Sequence, residues 1–128
     1  DAYNTAVGYH AGKAISSGIQ NTLIGSGAGD SLTDADYNTY IGYNAGGLDD
    51  LGSYNVAVGV GALSTLNYSG ATNGQNVAVG YNALQDQTTG VENTAACDVS
   101  AYAPIIILGP PVVRLFSWSP AAFPIHIL

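Results

Sequence analysis

The sequence predicts an all-β fold: a parallel β-solenoid, or β-roll, wound from coils of 17 residues. Three observations carry this prediction. A short motif recurs at a fixed period, β-branched residues alternate inside it, and the composition is poor in charge and in helix-forming residues. The motif appears as "YNTAVGYHAG" at Asn4, "QNTLIGSGAG" at Asn21, "YNTYIGYNAG" at Asn38, "YNVAVGVGAL" at Asn55 and "QNVAVGYNAL" at Asn76. A degenerate sixth copy, "ENTAACDVSA", stands at Asn93. The intervals are 17, 17, 17, 21 and 17 residues, so one coil carries a four-residue insertion near 64–74. A period this short is incompatible with helical hairpin repeats, whose units run to about 33 residues or more.

Each element of the coil follows from the pattern N-[TV]-x-[VI]-G-x-x-A-[GL]. Thr5 and Val7, Thr22 and Ile24, Thr39 and Ile41, Val56 and Val58, and Val77 and Val79 occupy alternate positions of a short strand, so each pair shares one face. We expect that face to point inward. Gly8, Gly25, Gly42, Gly59 and Gly80 come next, where the chain can turn with positive φ. A second short strand is expected to carry the column Ala11, Ala28, Ala45, Ala62 and Ala83 with an apolar residue such as Ile15, Leu32, Leu48, Leu63 or Leu84. The column Asn4, Asn21, Asn38, Asn55 and Asn76 reads as a hydrogen-bonded ladder or a set of turn caps, a structural role in either case. The small Ala and Gly columns would let another flat surface approach closely. Several chains are therefore expected to pack together, most simply as a closed homotrimer.

The repeat also disposes of a false lead. Gly8, Gly12 and Lys13 resemble a shortened phosphate-binding G-x-x-x-x-G-K-[ST] loop, but Ala14 replaces the hydroxyl. Later copies put Asp30, Gly47, Ser64 and Gln85 in the Lys13 column, which no phosphate site would tolerate. The glycine spacing belongs to the coil.

Here the residues reach a resemblance. "NTAVGY", "NTYIGY" and "NVAVGY" resemble the head repeats of trimeric autotransporter adhesins and related repeats of bacteriophage tail fibres. The resemblance covers about residues 1–97. It implies a left-handed parallel β-roll, side-by-side trimers, and a rigid stalk or host-attachment head outside the cell or on a virion. The implied partner is a host-surface glycan or protein receptor. This chain departs from the adhesin pattern in its longer unit and in Asn where Ser is usual.

Charge narrows the partners. Two basic residues against nine acidic ones give a net charge of −7, which disfavours nucleic acid and anionic membrane surfaces. Apolar residues make up 47% of the chain, too many for a disordered one. The single Cys97 forms no internal disulfide, and an initial Asp1 suggests a fragment or processed product. Beyond the solenoid, residues 98–128 form an apolar tail holding all five prolines, Trp118 and both phenylalanines. Its prolines and Arg114 disfavour a membrane helix. Two readings stand: strands capping the solenoid's open end, or a non-native continuation.

No catalytic constellation is visible, and no cofactor is expected. His10 sits in a variable column and His126 alone in the tail. Asp30, Asp34, Asp36, Asp49 and Asp50 fall in the loops of adjacent coils; stacking could align them as weak Ca²⁺ candidates, although solvated loop charge is the simpler reading. "NYS" at Asn67 is a formal glycosylation triplet. Tyr9, Tyr43 and Tyr81 share one column and Tyr3, Tyr37 and Tyr54 another, suited to a subunit interface or to sugar stacking. The insertion near Tyr68 is a further candidate contact. The expected function is a non-enzymatic structural or adhesive fibre module. One alternative is an ice-binding solenoid built on Thr5, Thr22, Thr39 and Thr94, which would need that column exposed. The other is a subunit of a self-assembling extracellular filament.

Overall fold

The computed structural model describes residues 2–96, and within them the fold is the predicted parallel solenoid, without a helix. Cys97 and the apolar tail, including its proposed capping strands, lie outside the described residues. One face is a six-stranded parallel sheet of β1 (Thr5–Val7), β2 (Thr22–Ile24), β3 (Thr39–Ile41), β5 (Val56–Val58), β7 (Val77–Val79) and β8 (Thr94–Ala96), stacked in chain order. The register follows the repeat: Thr5 pairs with Thr22, Thr22 with Thr39, Thr39 with Val56, Val56 with Val77 and Val77 with Thr94. A second, two-stranded sheet joins β4 (Gly52–Ser53) to β6 (Thr72–Asn73).

The alternation is present, but its polarity is opposite to expectation. The middle residue of each strand faces the core: Leu23, Tyr40, Ala57 and Ala78 are fully buried. The Thr/Val columns on either side face outward. The physical reason is volume, since a coil this narrow encloses a single layer of side chains.

The expected second strand is also absent. The Ala column lies in a run of tight turns, and Ala28, Ala45, Ala62 and Ala83 are fully buried core residues. The small Ala column therefore offers no surface to a neighbouring molecule. Of the apolar residues assigned to that strand, Leu32 and Leu63 are buried, Ile15 and Leu84 are partly buried against the core, and Leu48 is exposed.

Two recurring columns, one of glycine and one of asparagine, hold this geometry. At Gly42, φ is +138°, and the equivalent glycines lie between +131° and +138°. A Cβ at Gly25 would stand 2.5 Å from the carbonyl oxygen of Gly42 in the next coil, so glycine is required by both φ and stacking distance. The asparagines form a buried ladder. Asn21 N–H donates to Asn4 Oδ1 (2.8 Å), Asn38 to Asn21 (2.9 Å), Asn55 to Asn38 (2.8 Å), Asn76 to Asn55 (3.1 Å) and Asn93 to Asn76 (3.0 Å). Their carboxamides also cap the turn across the coil, with Asn21 Nδ2 donating to Ala35 O and Asn38 Nδ2 to Gly52 O. Ladder and cap are the same residue.

Pairing divides the insertion in two. Gly52 pairs with Thr72 and Ser53 with Asn73, whereas Asn55 N–H and Asn76 N–H occupy equivalent ladder positions 21 residues apart. Three residues are thus added before Thr72 and one, Gly74, after Asn73.

Candidate functional site

The outward surface above the six-stranded sheet is organised in four columns. The two central ones are β-branched: Thr5, Thr22, Thr39, Val56, Val77 and Thr94, then Val7, Ile24, Ile41, Val58 and Val79. Tyrosine-bearing columns border them. On one side stand Tyr3, Gln20, Tyr37, Tyr54, Gln75 and Glu92, all with positive φ; on the other stand Tyr9, Ser26, Tyr43, Val60 and Tyr81. Only Glu92 among these residues is charged.

The two tyrosine columns differ physically. Tyr37 and Tyr54 stack on each other, with ring centroids 4.9 Å apart and planes inclined by 13°. Tyr9, Tyr43 and Tyr81 occupy alternate coils, separated by Ser26 and Val60, and are 73%, 63% and 52% exposed. His10 stacks on one face of Tyr9, with centroids 3.8 Å apart. Tyr68 corrects the sequence reading. It is only 4% exposed, accepts from Asn76 Nδ2 (2.9 Å) and donates to Gly90 O (2.7 Å). The insertion folds its aromatic ring into the core, so Tyr68 is unavailable for external contact.

The acidic residues disperse. Asp34 is exposed and accepts from the hydroxyls of Ser16 and Ser17, and these hydrogen bonds lower its pKa. Asp36 accepts from the backbone N–H of Ile19 (2.8 Å). Asp30 is half-buried beside Ser31, and Asp50 Oδ1 is screened from solvent without a hydrogen-bond partner among the described residues. Asp49 turns inward and is fully buried, so the five do not form one edge. Among the described residues, no three His, Cys, Asp or Glu side chains converge on a metal-sized site.

Sequence reasoning missed the polar cluster inside coil 38–54. Asp49 occupies the core column of Ile15, Leu32 and Leu66. Its Oδ2 accepts from the Tyr40 hydroxyl (2.5 Å) and its Oδ1 from Gly52 N–H (2.9 Å). Burial raises its pKa to about 6, against the lowering effect of the Tyr40 and Gly52 donors. Burial, then the Asp49 charge, raises the Tyr40 pKa well above its ordinary value, while burial pushes Tyr68 to about 12. The available signal was an Asp in a column otherwise apolar in the neighbouring copies.

Neither family models, curated proteins nor solved structures give a match to this chain.

Proposed function

We propose that the chain is a non-enzymatic fibre module, a stalk or attachment segment of an extracellular or virion surface protein, built from three copies side by side. The observation that carries this reading is the outward β-branched face. Strand spacing gives its two central columns a length of roughly 25 Å, and the bordering Tyr9 row stands outside them. It is uncharged in its two central columns, on a chain of net charge −7. Val7, Ile24, Ile41, Val58 and Val79 make one of these columns apolar along its length, and an outward apolar strip is characteristic of an interaction surface. Pressing copies together through it buries no like charge.

Light scattering on the intact chain tests the proposal. We expect the mass of three chains, falling to one when Ile41→Asp and Val58→Asp are introduced together. A wild-type monomer would overturn it.

The outward turn of the Thr column favours one second reading, an ice-binding face. Val56 and Val77 interrupt the threonines. Thermal hysteresis that disappears in Thr22→Tyr and Thr39→Tyr variants would support this reading over the fibre.

A further inference from the structure

The column bearing Tyr9, Tyr43 and Tyr81 has a longer rhythm than the coil itself. Read with the next position, successive coils carry Tyr9-His10, Ser26-Gly27, Tyr43-Asn44, Val60-Gly61 and Tyr81-Asn82. Every second coil presents an aromatic ring beside a hydrogen-bonding side chain, and the coils between present small or aliphatic residues beside glycine. The alternation is structural as well. A Cβ at Gly27 would meet Asn44 Oδ1 at 3.7 Å, and one at Gly61 would overlap Asn82 Oδ1, so each Asn leans back over the glycine of the preceding coil.

Backbone bonds lock this column in register. Gly27 N–H donates to Tyr9 O (2.9 Å), Asn44 to Ser26 O (3.0 Å), Gly61 to Tyr43 O (2.9 Å) and Asn82 to Val60 O (2.8 Å). The three tyrosines therefore recur every two strand spacings, roughly 9.5 Å.

We infer that this row is a binding track for an extended, uncharged β-1,4-linked pyranose polymer. In such a chain successive sugars are flipped, so alternate rings turn the same face to one side and recur at about the two-coil interval. A tyrosine ring stacks on the apolar face of a sugar, and the neighbouring Asn44, Asn82 and His10 can hydrogen-bond its hydroxyls. The other row does not fit, because Tyr37 and Tyr54 stand on adjacent coils and stack on each other, which breaks the two-coil interval. Neutrality follows from charge: no residue of the Tyr9 row or of its neighbouring column through Asn82 is acidic or basic apart from His10, and a chain of net charge −7 repels polyanions. The track gives a ligand class to the attachment role proposed above. It rests on the register of a single solenoid, not on association, so the two proposals fail separately.

The test is depletion of the intact chain from solution by microcrystalline cellulose and by chitin, with granular starch as the α-linked control. Calorimetry with cellohexaose follows, and light scattering on the same sample reports association independently. We expect retention on the β-1,4 polymers and not on starch. Tyr43→Ala should weaken binding at least tenfold, while Tyr43→Phe and Tyr37→Ala leave it within twofold. Absence of retention on both β-1,4 polymers would overturn the proposal. So would equal retention on starch, or undiminished retention of a Tyr9→Ala, Tyr43→Ala, Tyr81→Ala variant. These side chains are exposed, and an unchanged unfolding midpoint confirms that the variants fold.

Discussion

Coils 21–37 and 38–54 share one backbone and have opposite interiors. They are aligned residue for residue, Thr22 on Thr39, Leu23 on Tyr40 and Ile24 on Ile41. The first is filled by Leu23, Ala28, Leu32 and Ala35, all fully buried. The second is filled by Tyr40, Ala45 and Asp49, joined by a hydrogen bond through the core. Gly46 has its counterpart in Gly29, but Gly52 replaces Ala35. A Cβ at Gly46 would overlap the Tyr40 ring, and one at Gly52, where the first coil has Ala35, would lie 2.5 Å from Asp49 Oδ1 and 2.7 Å from the Tyr68 ring. The comparison teaches that the Asn ladder and glycine stacking hold the geometry, while core side chains exchange as sets matched in volume and polarity.

The sharpest way to break the comparison is to put the second coil's acid into the first. Leu32→Asp buries a carboxyl beside Leu23, which has no hydroxyl to offer, and should cost more than about 4 kcal/mol or prevent folding. A denaturant midpoint close to wild type would show that the interiors are interchangeable one residue at a time.

Next is pH. The folded pKa of Asp49, about 6, lies above its ordinary value of 3.8, so the folded state binds the proton more tightly. Stability from this group is fully present below about pH 4 and is lost as pH rises through 6, a fall of about 3 kcal/mol. Asp49→Asn should flatten the slope between pH 4 and 7. Unfolding midpoints across that range check the sign.

Volume matching gives a prediction of similar size with a built-in rescue. Leu23 and Tyr40 stand opposite Gly29 and Gly46, whereas Ala57 and Ala78 stand opposite Leu63 and Leu84. Leu23→Ala should cost about 3 kcal/mol by leaving a cavity. Adding Gly29→Leu should bring the protein back to within about 1.5 kcal/mol of wild type. A double variant no better than the single would refute the exchange.

The smallest effect is expected at the surface. Gly27 has φ +69°, and its nearest neighbour to an added Cβ is 3.7 Å away, so Gly27→Ala meets strain without a clash and should cost about 1 kcal/mol. A loss of several kcal/mol in the unfolding midpoint would mean that the row beside it is packed rather than open.

Much of the architecture was legible in the chain. The period placed the coils, the intervals placed the insertion, and the Gly and Asn columns marked the turns and the ladder. The exposed tyrosine row was visible too, along with its alternation with Ser26 and Val60. Tyr68 was not legible as a core residue, because an insertion in one copy has no counterpart to reveal its facing. The scatter of the five aspartates was hidden for a related reason: residues of one loop point to different sides, and spacing alone does not say which. The Asp49 cluster left a trace as the one acid among Ile15, Leu32 and Leu66, but its partner Tyr40 lies nine residues away in another column.

The sequence by itself determined the coil: its length, its first strand, its glycine turns and the stacking of like on like, because repetition at one period forces identical units into register. Only the tertiary structure decided which side of each strand faces the core. A two-residue alternation defines two faces without ranking them, and here both carry apolar residues. The inside is the face whose side chains fit in a single layer against the opposing turn. That is why Ala, Leu and Tyr are enclosed and the larger share of the β-branched residues is turned outward.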